Sequence, residues 1–313
     1  LMLSSLLILG CGSTAFSAAT VEDNESVKAI YEKIEEGRTV LYDENNNEIP
    51  VEKLNNDTEN ISKKLPQKYD LRDYGRVSKV KNQGSEGYCW AFASVASMES
   101  SILSQNDLKS KLGENPQDTI DLSEAGQTWY IHSGIVDKSS PFYGDYINDS
   151  SKGSNGGTSD TLAISLNSGF GTYPQSLCPY NEVKKGFSET LRYYSYYRLK
   201  DYSEISNNKD TLKSKIVSNG AVTVYYPSIT DCYSYDYANY YSDNTCIGIG
   251  DAHLIVVVGW DDNYSKDNFT GKVKPSNDGA WLCKNSWGEH YGNDGYIWIS
   301  YDTTKLALSL IHI

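Results

Sequence analysis

The chain is 313 residues long, with 28 Lys and Arg against 41 Asp and Glu and a formal net charge of −13. That length suits one or two compact units with a real core and is too great for a minimal module. The excess negative charge repels polyanions, so nucleic acid and anionic lipid are poor candidates as partners.

The first segment, LMLSSLLILGCGSTAFSAAT, is apolar through Leu9, then small and polar, with Ala18 and Ala19 ahead of an acidic stretch. It reads as a secretory signal peptide over residues 1–19, too short in its apolar run to span a membrane, although no Lys or Arg precedes Lys28. ILGCGS around Cys11 also resembles a bacterial lipoprotein box, which leaves lipid anchoring at Cys11 as an alternative. Residues 20–64 are charged and Asn-rich, with too few large apolar side chains for a core of their own. Within them Val27, Ile30, Tyr31 and Ile34 follow helical spacing and predict a short amphipathic helix. Composition shifts at KKLPQKYDLRDYG, and the globular part is expected to begin at Leu65.

In CWAFASVASMESSIL, Phe92, Val95, Ile102 and Leu103 recur at helical intervals, predicting a helix that starts near Cys89 and buries one face. DLSEAGQTWYIH predicts a second helix capped by Ser123. The glycine-dense KGSNGGTSD then reads as a loop, followed by a short helix over Thr161 to Leu166. TLKSKIVSNG reads as a further helix ending at Gly220, and after it AVTVYY, HLIVVVGW, AWLCKNSW and GYIWISY are β-branched and aromatic strand signals. Helices first and strands afterwards predict an α+β protein of two lobes, about 65–190 and 191–305. Residues 306–313 carry no expected element and read as a truncated or foreign tail.

Without residues 1–19 the cysteines are Cys89, Cys178, Cys232, Cys246 and Cys283, an odd set. In an exported chain the odd thiol is a free reactive group or an intermolecular partner. The remaining four can pair in three ways, of which Cys232 with Cys246 closes the shortest loop; an all-reduced set also stands. A thiol becomes a nucleophile as thiolate, which a helix N-terminus and a cation stabilise, and Cys89 has the first. Upstream, QGSEGY brings flexible backbone close, and the Gln83 amide with the Cys89 backbone N–H forms a candidate oxyanion hole. Of His132, His253, His290 and His312, only His253 opens an apolar strand able to hold an imidazole rigidly. WLCKNSWG supplies Asn285 to orient that ring and Trp287 to shield the pair, provided their strands are adjacent and antiparallel.

QGSEGYCWAF, DLSE, GSNGG, DAHLIVVVGW and KNSWG…GYIWIS stand in the order found in the papain-like cysteine peptidases, which the chain resembles from about Leu65 to Tyr301. The resemblance implies a helical left lobe with the nucleophile helix, a β-rich, barrel-like right lobe, and a cleft between them for an extended protein or peptide substrate. It implies Cys89 as nucleophile, His253 as general base and acid, Asn285 as orienting residue and Gln83 as oxyanion donor. Asn155, Gly156, Gly157 and Trp287 would contact substrate, with Glu99 a partly buried helix carboxylate. It implies no cofactor and no metal. Residues 20–64 become a propeptide that inhibits its own enzyme, and the expected protein is a monomer, secreted or on a bacterial cell wall, with no membrane span.

There are departures from the family pattern. Glu86 and Ser154 stand where cysteines are usual, so two bracing disulfides are expected to be missing, as in secreted clostridial cell-wall proteases. The Asp-rich insert over 261–278 reads as a solvated hairpin loop, with calcium binding as the alternative. Besides a thiol endopeptidase, an acyltransferase of related fold and an inactive binding module are the competing classes. Asn285 argues against the former, and the intact Gln83, Cys89, His253 and Asn285 set against the latter.

Overall fold

The computed structural model describes residues 17–19, 30–35, 38–42, 48–49, 65–133, 138–139, 156–158, 162–163, 166, 171–192, 196–205, 208–246, 251–304 and 306–312. The chain divides into two compact units, Leu1–Lys63 and Lys64–Ile313. Cys11 and most of residues 1–64 lie outside the described residues.

In the first unit β1 (Ser17–Ala19), β2 (Ile30–Glu35), β3 (Arg38–Tyr42) and β4 (Glu48–Ile49) form an antiparallel sheet in chain order. This overturns the helix expected around Ile30, Tyr31 and Ile34. Positions four apart share a face in a strand as well as in a helix, so the spacing of Ile30 and Ile34 did not discriminate. The β-branched TVLY run that follows is the strand signal, and Tyr31 pairs with Tyr42 across the resulting hairpin.

The second unit is built around helix α1 (Cys89–Ser104), in which every residue except Ala96 and Ser104 is buried. The expectation of one buried face is therefore corrected. The helix is enclosed by α2 (Glu124–His132), α3 (Lys209–Asn219), β7 (Val222–Ser228), β10 (Asp251–Asp261) and β13 (Ala307–His312). Its serines make this possible by bonding outward: Ser97 Oγ donates to Ala221 O at 2.8 Å and Ser100 Oγ to Arg76 O at 2.7 Å. The end signals read from sequence are present. Ser123 Oγ accepts from Gly126 N at 2.8 Å at the start of α2, and α3 stops at Gly220 with φ of 109°; the structure adds an unexpected cap for α3, Asn208 Oδ1. Leu162, Ala163 and Leu166 are helical, as expected for that segment.

The remaining strands are β5 (Lys68–Asp70), β6 (Asp201–Ile205), β8 (Tyr233–Ser234), β9 (Asn239–Tyr240), β11 (Ala280–Lys284) and β12 (Tyr296–Ser300). One sheet runs in the order β6-β13-β7-β10-β11-β12-β9-β8, with β5 also pairing to β10. Gly259 lets β5 cross, since a Cβ there would lie 2.2 Å from Tyr69 O. Residues 307–312, where no element was expected, form a strand: Ala307–His312 is inserted between β6 and β7. The apolar alternation of LALSLI is what such a strand requires. Antiparallel β10 and β11 are joined by the Asp-rich insert, with Asp261 opposite Ala280. Asp302 fastens that insert by accepting from Ser276 N and Asn277 N, both at 2.9 Å. Among the described residues no group of three or more His, Cys, Asp or Glu is placed to hold a metal, and no helix is long and apolar enough to cross a membrane.

Candidate active site

Cys89 is the first residue of α1, at the end where the backbone amides have no helical acceptors. Its thiol is buried, and the nearby backbone amides of Leu254, Trp90 and Cys89 itself favour its charged form. The Leu254 contact brings the thiol to the strand position next to His253. Burial pushes the Cys89 thiol above its ordinary value, and those amides pull the other way.

His253 is the third residue of β10, opposite Tyr226 of β7, whose ring stands edge-on to the imidazole at 5.7 Å between centroids. β11 runs antiparallel beside β10 and ends at Lys284, which delivers Asn285 to the imidazole. His253 Nε2 and Asn285 Oδ1 are 2.8 Å apart. The indole of Trp287 stacks on the ring at 4.4 Å and 17°, covering that bond from solvent. Burial lowers His253 from 6.5 to about 4, against a smaller upward pull from Asn285.

Gln83 is held on three sides. Its Oε1 accepts from Ser286 Oγ at 2.6 Å, its Nε2 donates to Glu86 O at 2.8 Å, and its backbone oxygen accepts from Tyr180 Oη at 2.7 Å. One amide hydrogen thus remains for another acceptor. Glu86, standing where a cysteine is usual in the family, pairs with Lys184 at 2.6 Å. Gly156 and Gly157 are exposed, and a Cβ on Gly157 would fall 2.8 Å from the Trp90 indole, so glycine lets that loop lie on the ring. Asn155 and Ser154 lie outside the described residues.

Two features had no separate signal in the sequence. Ser286 ties the two arms of the site together: its hydroxyl holds Gln83 and its N–H donates to Asn285 Oδ1 at 2.7 Å. Beneath them is a buried ionic cluster. Glu99, expected to be partly buried, is fully so, and accepts from Ser78 Oγ at 2.5 Å, Lys81 Nζ at 2.9 Å and Leu122 N at 2.8 Å. Lys81 also reaches Asp121 and Glu124, each at 2.9 Å. Lys284 Nζ donates to Ser78 Oγ at 3.0 Å. Burial raises Glu124 to about 7 against the pull of Lys81, and burial lowers Lys284 to about 8 despite nearby Glu99. A cavity of about 20 Å³, room for a single water, separates this cluster from Asn285 and Ser286. Glu124 Oε2 and Asn285 Nδ2 are buried with no protein partner.

A model of the papain family of cysteine proteases matches residues 65–309, and the chain belongs to that family. It is 30% identical over 247 residues to cathepsin S of Bos taurus, covering 75% of this chain and 60% of the relative. It thus spans about 60% of the length of the curated relatives it matches. Among solved structures it is similar to clostridial cysteine protease Cwp84 after propeptide cleavage, with a TM-score of 0.63 and 28% identity over 78% of this chain and 57% of the other. It also matches the cysteine protease and lectin-like domains of Cwp84, a surface layer associated protein of Clostridium difficile. There the TM-score is 0.61, at 28% identity over 79% and 51% of the two chains.

Proposed function

We propose that the protein is a secreted cysteine endopeptidase, made as a zymogen and acting on surface or extracellular proteins. One arrangement carries this reading: the Cys89 thiol at the head of α1, near the amide of Leu254 that follows His253, whose ring is fixed by Asn285 and roofed by Trp287. Burial opposes a charge on either Cys89 or His253 alone. Moving the thiol proton to the imidazole creates both charges together, where each offsets the other's burial and the α1 amides favour the thiolate.

In this mechanism the Cys89 thiolate attacks the carbonyl carbon of a peptide bound extended between the lobes. The developing oxyanion accepts from the Cys89 backbone N–H and the remaining Gln83 amide hydrogen. His253 protonates the leaving amine, then takes a proton from the water that hydrolyses the acyl-enzyme. Asn285 holds the ring in the orientation both transfers need. Asn155, Gly156 and Gly157 are assigned to the substrate backbone, and Trp287 to a further substrate contact beside His253. Residues 20–64 serve as the inhibiting propeptide, and the relation to a clostridial surface layer associated protein supports a cell-surface substrate. The test is intact mass after an epoxysuccinyl thiol-protease inhibitor is added to the wild-type chain and to Cys89→Ala. A stoichiometric adduct on wild type alone is expected. A folded wild type, freed of residues 1–64, that forms none would overturn the assignment and favour a binding module.

A further inference from the structure

We propose that Cys232 and Cys246 form a disulfide, and that this bridge locks the tyrosine-lined wall against which His253 rests. Their sulfurs are in contact at 2.8 Å, across a separation of 14 positions. Sequence left three pairings open; the fold leaves one. Cys178 is fully buried among Tyr130 and Tyr173, Cys283 is fully buried in β11, and Cys89 is engaged at Leu254.

Both ends of the loop are already shaped for closure. Cys232 N donates to Ile229 O at 2.9 Å, and Tyr241 N returns to Cys232 O at 3.3 Å. At the other end Cys246 N donates to Asp243 O at 3.2 Å, in a turn where Asp243 Oδ1 also accepts from Thr245 N at 2.8 Å. Oxidation therefore asks for side-chain rotation rather than rearrangement of the backbone.

The chemistry has a direction. Cys232 is buried and its thiol is pushed up to about 12, by burial first and by Cys246 next, whereas Cys246 is half-buried and is the accessible member. The Cys246 thiolate attacks one sulfur of a low-molecular-weight disulfide, forming a mixed disulfide and expelling one thiolate. Cys232, losing its proton to solvent, attacks Cys246 Sγ and expels the second. Two protein thiols are oxidised and one small disulfide is reduced to two thiols.

The enclosed segment borders the site. It holds β8 and β9, and β9 pairs with β12. Its Tyr233 and Tyr240 pack on Tyr226, and Tyr226 stands edge-on to His253. Tyr233 bonds Tyr226 Oη, and Tyr240 Oη donates to Pro227 O. Cys246 itself stands shortly before β10, so the bridge joins the entry of the His253 strand to the base of this wall.

Neither half of the test needs peptidase activity, so it stands or falls separately from the proposed function. The full-length Cys89→Ala chain is equilibrated with oxidised glutathione, denatured, alkylated with N-ethylmaleimide and peptide-mapped without reduction. A Cys232–Cys246 linked peptide is expected, with Cys178 and Cys283 recovered alkylated. Alkylated Cys232 and Cys246, or either bound to another cysteine, overturns the pairing. The oxidised chain should melt on the order of 5–10 °C higher than the same chain reduced with dithiothreitol. The Cys232→Ser/Cys246→Ser variant should show no redox-dependent shift. A mapped bridge with an unchanged melting temperature overturns the locking role.

Discussion

Acid should remove a definable share of the stability through His253. The ring is almost wholly buried, and its value falls from an ordinary 6.5 to about 4 in the fold. A group lowered on folding stabilises the native state above its unfolded value, and the contribution is lost as pH falls through its folded value. The window is therefore pH 6.5 down to about 4. At about 1.4 kcal/mol per pH unit, the loss is roughly 3 kcal/mol, a large part of the stability of an ordinary domain. Glu124 works in the opposite sense, because its raised value of about 7 favours the protonated fold as pH drops from 7 toward 4.5. The assay must cancel that background. Urea unfolding of Cys89→Ala and of Cys89→Ala/His253→Gln, at pH 7.5 and pH 4, does so, since Glu124 is common to both and autolysis is absent. The stability difference between the two variants should move by roughly 3 kcal/mol in the disfavour of the histidine at low pH. A difference that is the same at both pH values would refute the claim that burial holds His253 neutral.

Three other outcomes follow from particular contacts. Ser286→Ala releases Gln83 Oε1, so kcat for a peptide substrate should fall roughly tenfold with KM little changed, and the loss should vanish in a Gln83→Ala background. Glu99→Ala strips Lys81, Ser78 and the Leu122 amide of a buried acceptor and should cost about 3–5 kcal/mol in chemical denaturation, whereas Glu99→Gln should recover part of it. Gly157→Ala places a methyl group against Trp90, so tryptophan fluorescence should shift and KM for an extended peptide should rise, while labelling of Cys89 by a small alkylating agent should change little.

Much of the site was legible because local chemistry marks it. QGSEGYCW joins a glycine-bearing turn to a helix start, and only His253 among the histidines opens an apolar strand. The antiparallel pairing of β10 with β11 then brings His253 to Asn285, as their strand patterns anticipated. Failures came where spacing or composition was ambiguous. Ile30 and Ile34 fit a helix or a strand, and the structure made them a strand. Residues 307–312 looked like a stray end because their partners, β6 and β7, are far away in the chain.

By itself the sequence determined the family, the helix that starts at Cys89, the Ser123-capped start of α2, the end of α3 at Gly220, and the residues proposed for the reacting centre. These depend on short-range signals: caps, turns, apolar periodicity and a few linked motifs. Only the tertiary structure decided that α1 is enclosed on nearly every side, that Lys81, Glu99, Glu124 and Lys284 gather beneath Asn285, and that Cys232 faces Cys246. Each of those is a meeting of segments distant in sequence, and burial supplies its energetic consequence by removing the water that would otherwise satisfy every charge and thiol separately.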